Sequence, residues 1–531
     1  MSSDSSDSGV IAEAPAVVPL PVEREGARWT LWKASTVAFV ASGCTLVLEL
    51  VAGRLMAPWI GVNLYTWTSI IGVVLAGIAL GNYLGGRVAD RRASDRVLGV
   101  ILLVGAVAAL TILPLVNLVL RSVIEWPIPI FAQNLVATSF LFFVPSLVLG
   151  MVSPVVIKLT LADLGETGSV VGKIYAWSTA GSIVGTFLTG FVLVATFGTR
   201  SIVFGVAIVL LALSVYAGRL YRRPIVVAVL LALLVGSWFG IRRVDALSSP
   251  CSEETQYYCI VWYPQANNPD VRVLALDHMV QSYNHMKDPL ELGYGYEKVY
   301  AEVILPHIRR LTAPRSLFIG GGGFTFPRWM QVMRPEGRSD VLEIDPEVFK
   351  TAYQNLGIDP ALAISTYTVD ARLFLNRNNP QGEYDLVFGD AFHNFAVPYH
   401  LTTLEFNQLV KTALKPGGVY IMNLIDIFKG GEFLRAYIRT ARQTFEYVYL
   451  FTEGELDPDR GRNTFVIVST DQPLDLDSIA PMTRSILGRL SVAQLYPPEL
   501  LDQYLTEGRD FLLTDDYVPV DNLLEPLLRG D

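Results

Sequence analysis

The residues in this chain whose types and spacing point to chemistry are four consecutive glycines, Gly320 to Gly323, and two acids downstream, Glu343 and Asp345. Glycines that end an apolar run let the backbone come close to a ligand. An acid about 20 residues further on, at the tip of the next strand, can accept both hydroxyls of a ribose. Glu343 is the candidate for that role, with Asp345 behind it. Together they point to a nucleoside-containing ligand, held at a turn made by Gly320, Gly321 and Gly322. Two plainer readings stand beside this one. The glycines suit an ordinary tight turn, and Glu343 without a ligand is an exposed acid near a sheet edge.

The elements that must position these residues follow from the apolar pattern. Leu317, Phe318 and Ile319 read as a buried strand, a helix-like segment follows, and Val341 and Leu342 begin a second strand. That is a βαβ unit of a nucleotide-binding sheet. Strands are expected at 316–320, 340–344, 384–390, 418–424, 446–452 and 463–469, alternating with helical stretches. Upstream, 256–285 alternates β-like runs with turn residues such as Asn267-Asn268-Pro269-Asp270, a small β region.

Composition sets the rest of the frame. The chain has 531 residues, of which 51% are hydrophobic, and its mean hydropathy of +0.40 places part of it in a lipid bilayer. Seven apolar spans are expected, at 34–56, 66–87, 97–121, 133–158, 171–196, 200–218 and 224–241. A net charge of −9 argues against nucleic acid as a partner and suits cationic substrates. Residues 1–28 read as a disordered tail, 29–245 as a transmembrane helical domain, 246–295 as the small β region and 296–531 as a Rossmann-like domain. The five histidines, His278, His285, His307, His393 and His400, show no metal-ligand spacing with the three cysteines, so no metal site is expected. Cys44 reads as inert packing. Cys251 and Cys259 are either a disulfide pair or two unrelated small residues, because spacing alone does not establish geometry.

Inside the spans, Gly72, Gly77, Gly81, Gly85, Gly181, Gly185 and Gly190 are spaced for close helix packing. Glu49, an acid at membrane depth, is expected to pair with Arg54 or a neighbouring helix. The loop Gly85 to Arg92 resembles the loop after the second helix of major-facilitator transporters, implying a partial bundle of that kind. Arg87, Arg91, Arg92 and Arg96 place that loop in the cytoplasm, and the uncharged stretch 57–66 outside. Seven spans then put the C-terminal domain outside. One re-entrant span, for which proline-interrupted 127–158 is the candidate, would reverse this.

The C-terminal half resembles the polyamine aminopropyltransferases, the spermidine synthases, and most of all their membrane-fused bacterial relatives. The likeness rests on Glu254 to Ile260, Leu276 to Gln281, Tyr296-Glu297, Ile319 to Gly323, Leu342 to Asp345, Val369 to Arg372, Tyr384 to Asp390, Leu414 to Gly418 and Leu513 to Asp521. It implies a single displacement, in which a diamine such as putrescine attacks the methylene carbon beside the sulfonium of decarboxylated S-adenosylmethionine. The donor is a co-substrate, and no permanently bound cofactor is implied; a homo-oligomer is. By the same resemblance, Glu343 holds the ribose, Asp370 the adenine amino group and Gln281 the donor site. Asp390 orients and deprotonates the amine, and Tyr257 and Tyr296 stand on the acceptor side; Glu297 and Asp516 are candidates there to replace the charge of acids that this chain lacks. Asp370 also reads as a simple helix N-cap.

The chain departs from the family at four places. Gly323 stands where an acid holds the donor's amino group, and His393 where a second acid meets the diamine; His393 is either a replacement base or a neutral loop residue. Tyr258 and Glu297 stand where a glutamine, and a glutamine or histidine, are usual. Two other functions therefore stay open. One is an S-adenosyl-type transferase on another acceptor. The other is a non-catalytic nucleoside- or polyamine-sensing module on a half-transporter bundle.

Overall fold

The computed structural model describes residues 29–161, 167–222, 249–392, 397–457 and 461–529, with a few isolated positions between. The N-terminal tail, most of the expected seventh span at 224–241 and His393 lie outside the described residues.

Among the described residues, six helical segments are long and apolar enough to cross a membrane: Leu31–Ile60, Leu64–Arg92, Asp95–Ile124, Ile130–Thr160, Thr167–Thr196 and Thr199–Ala217. They match the first six expected spans. Thr30, Asn63 and Ser94 each accept a backbone amide of the following turn and so fix where the first three helices begin. The proline-interrupted segment is helical over Ile130–Thr160, a length sufficient to cross. Pro145 sits inside Ile130–Gly150, and a second helix, Val152–Thr160, continues past Met151.

Glycines set the closest approaches. A side chain on Gly81 would meet the Leu147 carbonyl oxygen at 2.1 Å, and one on Gly181 the Phe39 carbonyl oxygen at 2.0 Å. Gly72 and Gly190 face open space and take no part in this packing. The expected Glu49–Arg54 pair does not form. The Arg54 guanidinium instead donates to the carbonyls of Thr255 and Gln256 in the C-terminal half.

The two ends of the bundle differ. At one end Asp95 accepts from Trp29 Nε1 at 2.6 Å and pairs with Arg219 at 2.5 Å. At the other end, a 30-residue helix away, lie Arg54 and Thr199. Glu254 accepts from the Thr199 amide at 2.6 Å. The expected loop Gly85–Arg92 is instead the last two turns of the second helix, and only Ala93 and Ser94 join it to the third. The C-terminal half thus docks on the end of the bundle opposite Arg87, Arg91, Arg92 and Arg96.

Strands β1 (Glu253–Glu254), β2 (Cys259–Gln265), β3 (Asn268–Leu276) and β4 (Met279–His285) form an antiparallel sheet. Asn268, Pro269 and Asp270 belong to β3, so the turn lies just before them and not on them as the sequence suggested. Cys251 and Cys259 are joined in a disulfide, with Cα atoms 5.2 Å apart.

The main domain holds β5 (Arg315–Ile319), β6 (Arg338–Glu343), β7 (Ile364–Thr368), β8 (Tyr384–Gly389), β9 (Leu414–Asp426), β10 (Tyr447–Glu453), β11 (Asn463–Thr470) and β12 (Ala493–Leu495). Their order is β12-β10-β11-β9-β8-β5-β6-β7. β5 to β9 run parallel, and β11 is antiparallel to β9. This is the Rossmann-like, methyltransferase-type α/β sheet expected. β7 and β12 were not foreseen. β7 exposes most of its residues and β12 has three, so neither carries the apolar run that marks a buried strand. Aromatic packing fixes the sheet's face: Phe318 on β5 stacks on Phe388 on β8 at 4.6 Å, and Phe326 on Trp329 at 5.1 Å.

Candidate active site

The site lies beyond the carboxyl ends of β5, β6 and β8, where strand order reverses and open α/β sheets bind ligands. β5 breaks at Gly320, whose φ is +100°. A Cβ there would stand 2.3 Å from the Asp390 carbonyl oxygen, so the turn after β5 and the end of β8 touch backbone to backbone. Gly322 is also left-handed, at φ +46°.

Glu343 ends β6 and is buried. Its Oε2 accepts from the Gly321 amide at 2.9 Å, and its Oε1 from the amides of Ile344 at 2.9 Å and Asp345 at 3.1 Å. Burial raises the pKa of this carboxyl, and those amides oppose the rise. Asp345 caps the next helix through the Glu347 amide and also accepts from the Thr255 hydroxyl at 2.5 Å. Asp370 caps the helix Ala371–Asn378 through the Leu373 amide at 2.9 Å. Its second oxygen meets His400 Nε2 at 2.8 Å, and that contact holds the carboxyl below its ordinary range. The N-cap reading of Asp370 therefore holds, while the same residue also lines a cavity beyond the ends of β5 and β6.

Asp390 follows β8. Its Oδ2 accepts from the Tyr296 hydroxyl at 3.0 Å and its Oδ1 from Asn423 Nδ2 at 2.8 Å. Burial pushes its carboxyl up to about 6, against those two bonds. Glu297, one residue past Tyr296, is fully enclosed, with one carboxyl oxygen unpartnered. Burial first, and then the charge of Asp390, push it up to about 8. Both shifts favour the neutral carboxyl, and the one on Glu297 is the larger.

Two cavities meet at Asp390. One, of about 100 Å³, is lined by Gly320, Gly322, Glu343, Asp370 and Tyr258. The other, of about 550 Å³, is lined by Tyr294, Tyr296, Asn423 and Glu453. Gln281, Asp390 and Phe392 line both. Tyr283, Tyr294 and Tyr296 form an aromatic wall, with successive ring centres 4.9 and 5.3 Å apart. Such a wall suits a cationic amine.

Of the residues singled out in the sequence, Gln281, Gly320, Gly322, Glu343, Asp370, Tyr296 and Asp390 line these cavities, and Gly321 contributes its amide to Glu343. Tyr257 is 40% exposed and lines neither cavity. Asp516 is exposed and lines neither; Glu297 lies behind the wall and not on it. Asn423, Tyr294 and His400 were missed. Asn423 carried a usable signal, being the polar residue in the apolar run 419–424 that becomes β9.

Gly323 is packed shut. The Asn284 amide donates to its carbonyl at 2.6 Å, and an added Cβ would stand 1.9 Å from Ser282 Oγ. An acid at this position has no space here.

Among proteins of known description, a polyamine aminopropyltransferase of Vibrio vulnificus (strain CMCP6) is 29% identical over 215 residues, 40% of this chain and 70% of that protein. A spermine synthase of Arabidopsis thaliana is 28% identical over 214 residues, 38% of this chain and 55% of that protein. The crystal structure of a probable spermidine synthase from Corynebacterium glutamicum ATCC 13032 shares 20% identity at a TM-score of 0.43, covering 48% of this chain and 95% of that one. No protein-family model matches the chain. The C-terminal half is thus similar, at modest identity and over part of the chain, to polyamine aminopropyltransferases.

Proposed function

We propose that the C-terminal domain transfers an aminopropyl group from decarboxylated S-adenosylmethionine to a diamine such as putrescine, tied to a membrane by the N-terminal bundle. The observation that carries this reading is the junction, at the half-buried carboxylate of Asp390, of a cavity lined by Glu343 and Asp370 and a cavity lined by Tyr294 and Tyr296. Glu343 holds the ribose and Asp370 the adenine edge, with Gln281 between donor and acceptor. The amine rests on Tyr294 and Tyr296 and gives a proton to Asp390. Its lone pair forms the new C–N bond as the C–S bond breaks, and sulfur keeps that electron pair, leaving 5′-methylthioadenosine. Purified full-length protein given the donor and putrescine should release spermidine and methylthioadenosine in equal amounts. No product, while a soluble synthase works in the same buffer, would reject the reading.

A second reading, an S-adenosyl-type transferase acting on another acceptor outside the cytoplasm, has its own support. The domain docks on the end of the bundle away from Arg87, Arg91, Arg92 and Arg96, and it carries a disulfide. Alkaline phosphatase fused after Asp531 should then be active and a fluorescent protein dark. The reverse result would place the domain with the cytoplasmic donor pool and make aminopropyl transfer the leading reading.

A further inference from the structure

We propose that Arg54, on the first bundle helix, is a positioning residue for the nucleoside cavity, acting through the disulfide-closed loop 251–259. The proposal rests on the reading of that cavity as a nucleoside site.

The contacts form an unbroken chain. Arg54 Nη1 donates to the Gln256 carbonyl at 2.9 Å, and Nη2 to the Thr255 carbonyl. A guanidinium fork on two successive carbonyls fixes both the place and the tilt of the peptide between them. The hydroxyl of Thr255 then donates to Asp345 Oδ2 at 2.5 Å and accepts from the amides of Tyr257 at 3.0 Å and Tyr258 at 2.9 Å. From there the chain divides. Tyr258 lines the nucleoside cavity directly. The Asp345 amide donates to Glu343 Oε1 at 3.1 Å, on the carboxylate placed to hold the ribose.

The loop has little freedom to absorb a displacement of Arg54. The Cys251–Cys259 bond closes it, and the Cys259 amide is held by Asp277 Oδ1 at 2.9 Å. Glu254, within the loop, accepts from the Thr199 amide at the start of another bundle helix. Two bundle helices therefore grip a short cross-linked loop, and that loop presents Tyr258 to the cavity and braces Glu343 through Thr255 and Asp345. Coupling of this kind is reciprocal, so a nucleoside that seats Glu343 and Tyr258 also steadies the end of the first helix.

The test titrates full-length protein in lipid nanodiscs with 5′-methylthioadenosine by calorimetry. Arg54→Gln is expected to weaken binding about tenfold, a common size for coupling between sites. Thr255→Val should do the same, and the double variant should lose no more than the larger single loss, because both substitutions cut one chain. Arg54→Lys, which keeps a cation but not the fork, should recover part of the affinity. Should Arg54→Gln fail to assemble, Thr255→Val and Arg54→Lys carry the comparison. Unchanged affinity in the single variants overturns the proposal. So do losses that multiply in the double variant, which would mark two independent effects. Wild-type protein that binds no methylthioadenosine removes the nucleoside reading, and this proposal with it. Wild-type binding with an indifferent Arg54 removes this proposal alone.

Discussion

Asp390→Asn leaves methylthioadenosine binding close to wild type and lowers turnover about 10²- to 10⁴-fold, the usual contribution of a positioned base. The substitution is nearly isosteric: the one remaining oxygen accepts from Asn423, and the new NH2 donates to the Tyr296 hydroxyl, which turns from donor to acceptor, so the junction of the cavities keeps its shape. What disappears is the acceptor for the amine proton, and an ammonium has no lone pair with which to attack. The pH profile gives a second check. Burial raises the Asp390 carboxyl to about 6, so its basic form is lost as pH falls through that value. Wild-type turnover should therefore fall on the acid side with a midpoint near 6. The residual activity of the Asn variant should lack that limb. A profile that survives the substitution, or a loss of nucleoside affinity equal to the loss of rate, would show that Asp390 is not the base.

Gly323→Asp installs the acid that the aminopropyltransferase pattern carries, and it is expected to damage the protein instead of improving it. The first carbon of the new side chain would stand 1.9 Å from Ser282 Oγ and 2.5 Å from Asn284 Oδ1. Overpacking of this kind costs about 1–3 kcal/mol. The carboxylate would also arrive beside two oxygens in a buried pocket, and an unpaired buried charge adds about several kcal/mol more. The thermal midpoint of the solubilised protein should fall clearly, and Gly323→Ala should fall less because it brings the clash without the charge. A midpoint at or above wild type, with raised turnover, would mean that Ser282 and Asn284 make room and that the missing acid limits activity.

The parts of the site legible in the sequence are those where an apolar run stops at a polar residue. Glu343 and Asp390 end strands whose buried residues announce them, and Gly320 to Gly323 follow a third. Their neighbourhood then follows from the sheet. The groups that arrive from elsewhere are less visible. Asn423 reaches Asp390 from a strand 33 residues on, and the Tyr294–Tyr296 wall approaches it from before the sheet begins. Arg54 is harder still. Its nearest acid in sequence is Glu49, and local reasoning pairs them; the carbonyls it holds lie about 200 residues away in sequence. The Cys251–Cys259 bond needed geometry that spacing does not supply. Tyr257 and Asp516 were placed at the site by position in a motif, and the fold carries both away from the cavities.

The glycine contacts of the bundle bear on how it can move. Gly81 against Leu147, Gly85 against Met151, Gly181 against Phe39 and Gly185 against Gly43 are backbone-to-backbone contacts with space for a hydrogen atom and nothing larger. A slide by one helical turn, about 5.4 Å, has different consequences on the two helices. Gly181 and Gly185 stand four residues apart, so either direction leaves a glycine in one of their slots and brings Trp177 or Thr189 into the other. Gly77, Gly81 and Gly85 share that spacing, so in one direction glycines again face both Leu147 and Met151. The helix Thr167–Leu188 is therefore keyed to the first helix: it resists shear along its length and parts by lifting directly away.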